Sequence, residues 1–80
     1  MPFFTYIIHC KDGYLYTGIT WNLQKRLNEH NLGKTPNLKN RLPIKLVYKE
    51  KFETRIQAAK REKEIKGWSR KKKEKLISLH

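Results

Sequence analysis

The sequence is poor in the residues that build disulfide frameworks, since it has one cysteine, Cys10, among 80 residues. A single cysteine cannot form a disulfide within the chain. A small domain without disulfides is compatible with a reducing cytoplasm, where we expect this protein. No apolar run approaches the roughly 20 residues that a membrane-spanning helix needs. The first residues also lack the basic segment and long apolar stretch of a secretory signal.

Several common catalytic arrangements are absent as well. The only aspartate, Asp12, falls in a predicted turn, so no pair of carboxylates for a two-metal site is evident. The sequence has no serine nucleophile turn, no glycine-rich phosphate loop and no cysteine and histidine spacing typical of zinc sites. His9 and Cys10 are neighbours on a predicted strand, where their side chains point to opposite faces. We therefore expect both to be dispensable for metal chemistry.

Positive charge, by contrast, is abundant. Lysine and arginine number 19 against 7 acidic residues, which gives a formal net charge of +12, and most of the excess lies in residues 41–80. Such a surface attracts polyanions over a long range, so nucleic acid is the first candidate partner and an anionic membrane the second. The basic residues that we expect to contact nucleic acid are Lys25, Lys34, Lys60, Lys63, Lys66, Arg70, Lys71, Lys72 and Lys73.

Three segments rich in aromatic and β-branched residues are predicted to be strands, over residues 4–10, 14–19 and 44–52. Between the first two stands Asp12-Gly13, a strong hairpin signal because glycine readily adopts a positive φ. On the two-residue period of a strand, Tyr6 shares a face with Phe4 and Ile8. Tyr16 likewise shares a face with Gly18.

Three helices are predicted from capping residues and apolar spacing. The first begins after Thr20 or Asn22 and ends near Gly33, the second runs from a Thr54 cap to about Lys66, and the third follows Ser69. Residues 34–43 contain two prolines and two asparagines and are predicted to form a loop. The order is ββαβαα in one domain spanning residues 1–80. It indicates an α+β fold, a small three-stranded antiparallel sheet flanked by helices.

A polar pair stands out on the first predicted helix. Arg26 and His30 are four residues apart, so they share one face of the helix. Leu23 and Leu27 are expected on the buried side, which would place the polar pair at the edge of the core. Taken alone, such a pair is more often a solvated helix face than a site.

A carboxylate on the second predicted helix is also unusual. Glu62 shares a helix face with Ala58 and Ile65, which are expected to point inward. A carboxylate is expensive to bury there unless a cation meets it. That cation can be a nearby lysine, which is the commoner case, or a metal ion. Strand tyrosines such as Tyr6 and Tyr16 are likewise packing residues in most proteins.

Together, these residues occur in an order and at a spacing that resembles the GIY-YIG nucleases. Phe4-Thr5-Tyr6 and Tyr16-Thr17-Gly18 are similar to the two half-motifs of the family. The likeness covers nearly the whole chain and is greatest to small standalone bacterial members. The incision domain of the excision-repair nuclease and certain homing and restriction endonucleases have the same fold, so a role in DNA repair is one expectation. The chain departs from the family pattern at Phe4, where the family name has glycine, and in lacking an asparagine after Gly67.

The resemblance implies a divalent-metal-dependent endonuclease that hydrolyses phosphodiester bonds, with DNA the expected substrate ahead of RNA. By position it makes Tyr6 and Tyr16 the motif tyrosines, Arg26 the motif arginine, His30 the motif histidine and Glu62 the ligand of one Mg²⁺ or Mn²⁺ ion. Arginine would stabilise charge on the phosphate, and a tyrosine would take the proton from the attacking water. Tyr6 is our first choice of base, with Tyr16 as its partner.

Two other functions remain open. The same fold can bind nucleic acid through its basic surface yet cleave slowly, or only with a protein partner that supplies specificity. The retention of Tyr6, Tyr16, Arg26, His30 and Glu62 favours an enzyme over such a module. Binding to a membrane surface through residues 70–75 is disfavoured, because the last predicted helix lacks a large aromatic apolar face.

Overall fold

The computed structural model describes residues 1–79. Its strands are β1 (Phe3–Cys10), β2 (Leu15–Thr20) and β3 (Ile44–Phe52), and its α-helices are α1 (Leu23–Asn31), α2 (Arg55–Lys66) and α3 (Arg70–Ser78). The predicted order ββαβαα and the α+β class are confirmed. No helix in the described part of the chain is long and apolar enough to cross a membrane.

The sheet is antiparallel throughout, with the strand order β2-β1-β3. β1 lies in the centre because it is the most apolar strand, and four successive side chains from Thr5 to Ile8 are buried. The turn from β1 to β2 contains Gly13 at a φ of 90°, as the Asp-Gly signal predicts. β2 begins one residue later than expected, so Tyr14 lies in the turn, where its N–H donates to Oδ1 of Asp12.

Both faces of the sheet carry a core. Tyr6, Ile8, Cys10 and Leu38 are packed on one face together with leucines of α1, and Ile7, Leu15, Tyr48 and Ile65 are packed on the other with α2 and α3. The two-residue period of β1 divides its side chains between the two cores. β3 contributes side chains to both cores, Leu46 to the first and Tyr48 to the second. Its register against β1 shifts between Ile7 and Ile8, so Val47 is the extra residue of a bulge between them.

Each α-helix begins at a capping side chain. Asn22 caps α1, Ser69 caps α3, and Thr54 forms a reciprocal capping box with Gln57 at the start of α2. These side chains accept hydrogen bonds from backbone N–H groups that have no partner within the helix. Gly33, at a φ of 77°, follows the end of α1. The predicted helix boundaries are therefore correct to within a residue or two.

The segment predicted to be a loop has some regular structure. Pro36–Leu38 forms a short 3₁₀ helix, and Leu38 is fully buried against β1. A single buried leucine among polar residues has no periodicity, so the sequence pattern does not reveal this contact. Leu38 therefore completes the first core, in contact with the buried side chains of β1.

Candidate active site

The hairpin of β1 and β2 places the two motif tyrosines on the same face. Tyr6 is directly opposite Gly18, and Tyr16 is opposite Ile8. The ring of Tyr6 lies over Gly18 so closely that a Cβ atom there would be 2.6 Å from the tyrosine hydroxyl oxygen. Gly18 is therefore required by the close approach of Tyr6, because any side chain at that position would displace the hydroxyl.

The hydroxyl of Tyr6 is held by a buried histidine. Its oxygen is 2.8 Å from Nε2 of His30, and Nδ1 of His30 is 2.6 Å from Oγ1 of Thr35. Tyr6 and His30 are both fully buried, and Thr35 nearly so. A neutral imidazole has one donor and one acceptor nitrogen. We assign Tyr6 O–H as the donor to Nε2 and Nδ1–H as the donor to Thr35, which satisfies both ring nitrogens.

Burial changes the acidity of both partners. Burial is the main reason that the pKa of His30 falls to about 4, and the positive charge of Arg26 lowers it further. The histidine is therefore neutral near neutral pH. Burial also raises the pKa of Tyr6 to about 12, although Arg26 acts in the opposite direction. The pair thus consists of a neutral phenol and a neutral imidazole.

The second tyrosine stands beside this pair and is more accessible. The ring centroid of Tyr16 is 6.5 Å from that of Tyr6 and 5.4 Å from that of His30, with its ring nearly perpendicular to the imidazole. Tyr16 is half-buried, whereas Tyr6 is fully buried. Of the two phenols, Tyr16 is the one with surface that solvent or a substrate can contact.

Arg26 lies at the border of the core and the solvent. Its side chain is 36% exposed and forms an ion pair of 3.3 Å with Glu29 on the same helix. It also interacts with the hydroxyl of Tyr6, whose pKa it lowers. The guanidinium therefore carries a positive charge next to the tyrosine cluster and retains an exposed surface.

Glu62 reaches the same region from α2. Its side chain is 22% exposed, and its Oε2 is 3.3 Å from Nζ of Lys66. Its negative charge contributes to the raised pKa of Tyr6, so the carboxylate lies within electrostatic range of the phenol. The burial of Ala58 and Ile65 on this helix agrees with the predicted inward face. The lysine that the sequence left open as a partner is Lys66.

Four of the predicted site residues, Tyr6, Tyr16, Arg26 and His30, thus lie together, and Glu62 lies within electrostatic range of Tyr6. One expectation about them is wrong: His30 is fully buried instead of lying at the edge of the core. The physical reason is that Tyr6 and Thr35 satisfy both ring nitrogens, which removes the penalty for burying them. The sequence analysis missed Thr35, whose only signal is its place in a segment that is predicted to be irregular.

His9 and Cys10, the two residues predicted to be dispensable for metal chemistry, differ in exposure. His9 is exposed, whereas Cys10 is buried in the first core. Residues 1–79 contain no group of three or more histidine, cysteine, aspartate or glutamate side chains that could hold a metal ion.

The predicted nucleic-acid contacts are spread over all three helices and the loop after α1. All of them are exposed except Lys73, which is half-buried. Three of them have partners within the described structure. Lys66 pairs with Glu62, Arg70 donates to the carbonyl oxygen of Gly13 and pairs with Glu74, and Lys72 lies 4.3 Å from the ring centroid of Trp68. Their charges remain available to a polyanion, although their side chains are already oriented.

Sequence comparison agrees with this geometry, because the profile of the GIY-YIG catalytic domain matches residues 2–75. The chain belongs to the GIY-YIG family. This is a family of nucleases, so hydrolysis of nucleic acid is the activity expected at the level of the family. The GIY-YIG half-motifs are the strand segments that carry Tyr6 and Tyr16.

Relatives of similar length exist in bacteria. A UPF0213 protein of Staphylococcus saprophyticus is 51% identical over 94% of this chain and 93% of its own, and one of Staphylococcus haemolyticus is 47% identical over 92% of each. Two solution NMR structures are similar in fold over 99% of this chain and 85% of their own. The UPF0213 protein of Bacillus halodurans is 40% identical with a TM-score of 0.65, and a protein of E. faecalis is 37% identical with a TM-score of 0.69.

Proposed function

We propose that this protein is a divalent-metal-dependent endonuclease that hydrolyses phosphodiester bonds, with DNA as its preferred substrate. The observation that supports this most is the buried hydrogen bond between Tyr6 and His30 at the centre of the GIY-YIG motif. Tyr16 and Arg26 stand beside that pair, and a carboxylate lies within electrostatic range. A protein that only bound nucleic acid would need the basic surface and not this cluster.

Glu62 is the residue that would hold the metal, with water and phosphate oxygens as the remaining ligands. When bound, a divalent ion supplies positive charge that offsets the charge developing on the phosphate. The half-buried carboxylate fits such a role because its present partner, Lys66, is an exposed lysine on the next helical turn. An ion pair of this kind contributes little to stability and can be exchanged for a stronger partner.

Arg26 would stabilise the phosphate during the reaction. Its guanidinium offers a planar set of donors that matches two phosphate oxygens. The side chain is fixed near the tyrosines by Glu29 and remains partly exposed, so a phosphate can approach it. Donors that are already in place when charge develops are commonly the largest single contribution to catalysis.

The general base is assigned here to Tyr16, in place of Tyr6. Tyr6 is fully buried, its hydroxyl is bonded to His30, and its pKa of about 12 leaves very little phenolate near neutral pH. A base must come within hydrogen-bond distance of the water that it activates. Tyr16 has exposed surface, so it would take the proton from the water. The rings of the buried pair, Tyr6 and His30, pack beside the Tyr16 ring and hold it in position.

A second function is a non-catalytic or partner-dependent nucleic-acid-binding module. Two observations favour it: Tyr6 is shielded from solvent, and Glu62 is already neutralised by Lys66. Under this function the cluster would be a packing device, and nucleic acid would bind through charge alone. The two functions differ in whether Arg26 matters for cleavage or only for affinity.

The test is cleavage of supercoiled plasmid DNA and of a matched RNA by purified protein, with Mg²⁺, with Mn²⁺ or with EDTA. Parent protein should nick DNA with either ion and be inactive in EDTA. Arg26→Gln should reduce cleavage by about 100-fold while binding changes only a few-fold. Lys39→Gln, which removes an exposed positive charge outside the predicted contacts, is the control and should cleave nearly as well as the parent. Binding without cleavage in every metal condition would establish the binding module instead.

A further inference from the structure

A pocket beside the tyrosine cluster has no role in the chemistry described so far. It has a volume of about 300 Å³ and lies along β2, between the 3₁₀ helix on one side and α2 and α3 on the other. Its lining side chains include Tyr14, Tyr16, Thr17, Asn37, Lys66 and Lys73. Because Tyr16 belongs both to this pocket and to the catalytic cluster, the two are directly connected.

The pocket is positively charged. Lys66 comes from the end of α2 and Lys73 from the first turns of α3, so two helices bring their ammonium groups to one place. The lining contains no acidic residue. Lys66 is also paired with Glu62, which offsets part of its charge. Both lysine ammonium groups are hydrogen-bond donors only, so the complementary ligand is an anion that accepts hydrogen bonds.

An unpartnered hydroxyl provides an independent sign of a ligand. Thr17 is 2% exposed, and its Oγ1 has no hydrogen-bond partner among the described residues. Buried polar side-chain atoms almost always have a partner, because leaving one unpaired forfeits its hydration. Thr5 is equally buried on the neighbouring strand and donates to the carbonyl oxygen of Ala58. The difference between the two threonines leaves the Thr17 hydroxyl to be satisfied by a water molecule or by a ligand.

The strand itself adds to this surface. β2 is an edge strand of the sheet, so backbone N–H and C=O groups along its outer side are not paired with another strand. Tyr14, in the turn before β2 and 44% exposed, also lines the pocket, and Arg41 covers one face of its ring. The pocket thus combines two cations, a hydroxyl and an aromatic wall, a set that suits a phosphate carried by a nucleotide.

We propose that this pocket binds a second phosphate of the nucleic acid strand, next to the phosphate that is cleaved beside Tyr16. Lys73 and Lys66 supply the charge and the Thr17 hydroxyl supplies a hydrogen bond. This inference rests on the proposed function, since it takes the tyrosine cluster as the position of the cleaved bond. The contact positions the strand along β2 and carries no base preference, because phosphate contacts fix register without reading sequence.

The experiment measures the affinity of a labelled DNA oligonucleotide in EDTA, over a range of salt concentrations, for the parent and three variants. Lys73→Gln should weaken binding about fivefold and make the salt slope shallower by about one, as expected when one phosphate contact is lost. Thr17→Val should weaken binding a few-fold while its melting temperature equals or exceeds that of the parent, because the unpaired hydroxyl is gone. Lys75→Gln, on α3 outside the pocket, is the matched control and should stay within twofold of the parent.

Two further measurements separate the possible failures. Equal losses for Lys73→Gln and Lys75→Gln, in a protein that still cleaves DNA with Mg²⁺, would overturn the pocket and leave the nuclease proposal intact. A selective loss for Lys73→Gln in a protein that never cleaves would support the pocket as part of a binding module and overturn the nuclease. Titration with inorganic phosphate, followed by the backbone amide signals of residues 14–17, identifies the ligand. Binding of inorganic phosphate as tight as that of the oligonucleotide would contradict a nucleic-acid site.

Discussion

The hydrogen bond from Tyr6 to His30 joins the central strand to α1, and both of its partners are fully buried. Each partner is ordinary on its own, since a strand tyrosine and a helix histidine occur in many cores. Their significance comes from Thr35, which fixes the second nitrogen of the ring. A histidine held in this way is locked in its neutral form and cannot act as a cation at the phosphate. Its role in this protein is to position Tyr6.

The first prediction concerns the pH dependence of stability. The pKa of His30 is about 4 in the folded protein and near 6.5 when unfolded, so the unfolded chain binds more protons in this range. The free energy of unfolding should therefore fall as the pH decreases from about 6.5 toward 4, by about 2 kcal/mol between roughly pH 7.5 and pH 5. Denaturant unfolding at several pH values measures this.

Two variants isolate the histidine responsible. His30→Gln should lose most of this pH dependence, whereas His9→Asn, at an exposed position of β1, should keep it. A parent protein whose unfolding free energy is flat over this range would show that His30 is not buried as a neutral side chain.

The second prediction separates the two tyrosines. Tyr16→Phe should abolish cleavage with little loss of stability, because it removes the proposed base from a half-buried site. Tyr6→Phe should reduce cleavage less and should lower the free energy of unfolding by about 1–3 kcal/mol, because Nε2 of His30 loses its buried partner. Single-turnover cleavage and chemical denaturation of both variants provide the comparison. The reverse ranking of cleavage would restore Tyr6 as the base.

At the scale of elements, most of the secondary structure was predictable. The hairpin follows from Asp12-Gly13, β3 from its run of β-branched and aromatic residues, and the helices from their caps. In each case the signal is local, so it does not depend on the rest of the fold. Elements that depend on distant packing were not predictable. The bulge in β3 at Val47 and the 3₁₀ helix that buries Leu38 both depend on packing against β1, which is distant in sequence.

The third prediction concerns the start of α2, the helix that carries Glu62. Thr54 accepts a hydrogen bond from the N–H of Gln57, whose side chain in turn accepts from the N–H of Thr54. Thr54→Ala should lower the free energy of unfolding by about 1 kcal/mol, the usual effect of losing a cap. Thr54→Ser retains the acceptor and should restore most of the loss. Thermal melting of the three proteins measures the effect, and no change for Thr54→Ala would mean that the cap is not formed in solution.

At the scale of the whole molecule, the site joins residues that are far apart in sequence. Tyr6, Tyr16, Arg26, His30 and Glu62 could be selected from the sequence because their order resembles a known family. The same resemblance did not indicate how deep each one lies. The burial of a side chain depends on its neighbours in the folded protein. Thr35 binds the second ring nitrogen of His30, and Gly18 leaves room for the hydroxyl of Tyr6. The pocket along β2 was equally hidden, because it is formed by four elements and carries no motif.

The fourth prediction concerns the charge of the whole chain. A net charge of +12, with most of the excess in residues 41–80, should make phosphate contacts dominate nucleic-acid binding. If about five phosphates are contacted, the logarithm of the association constant should fall with the logarithm of salt concentration at a slope of about −4 to −5 for duplex DNA. Fluorescence anisotropy from low to physiological salt measures the slope. A flat response would remove nucleic acid as the natural partner.

The most direct test of the metal-dependent site is Glu62→Gln, measured beside Glu64→Gln on the same helix. The Glu62 variant keeps the shape of the side chain and removes the charge that would hold the ion, so Mg²⁺-dependent nicking should fall at least about 100-fold. Its DNA affinity should be equal or slightly higher, and its melting temperature should stay close to that of the parent. Glu64 is exposed and paired with Arg61, so its variant should cleave normally. A folded Glu62→Gln protein that nicks DNA as fast as the parent would contradict the metal site and the mechanism built on it.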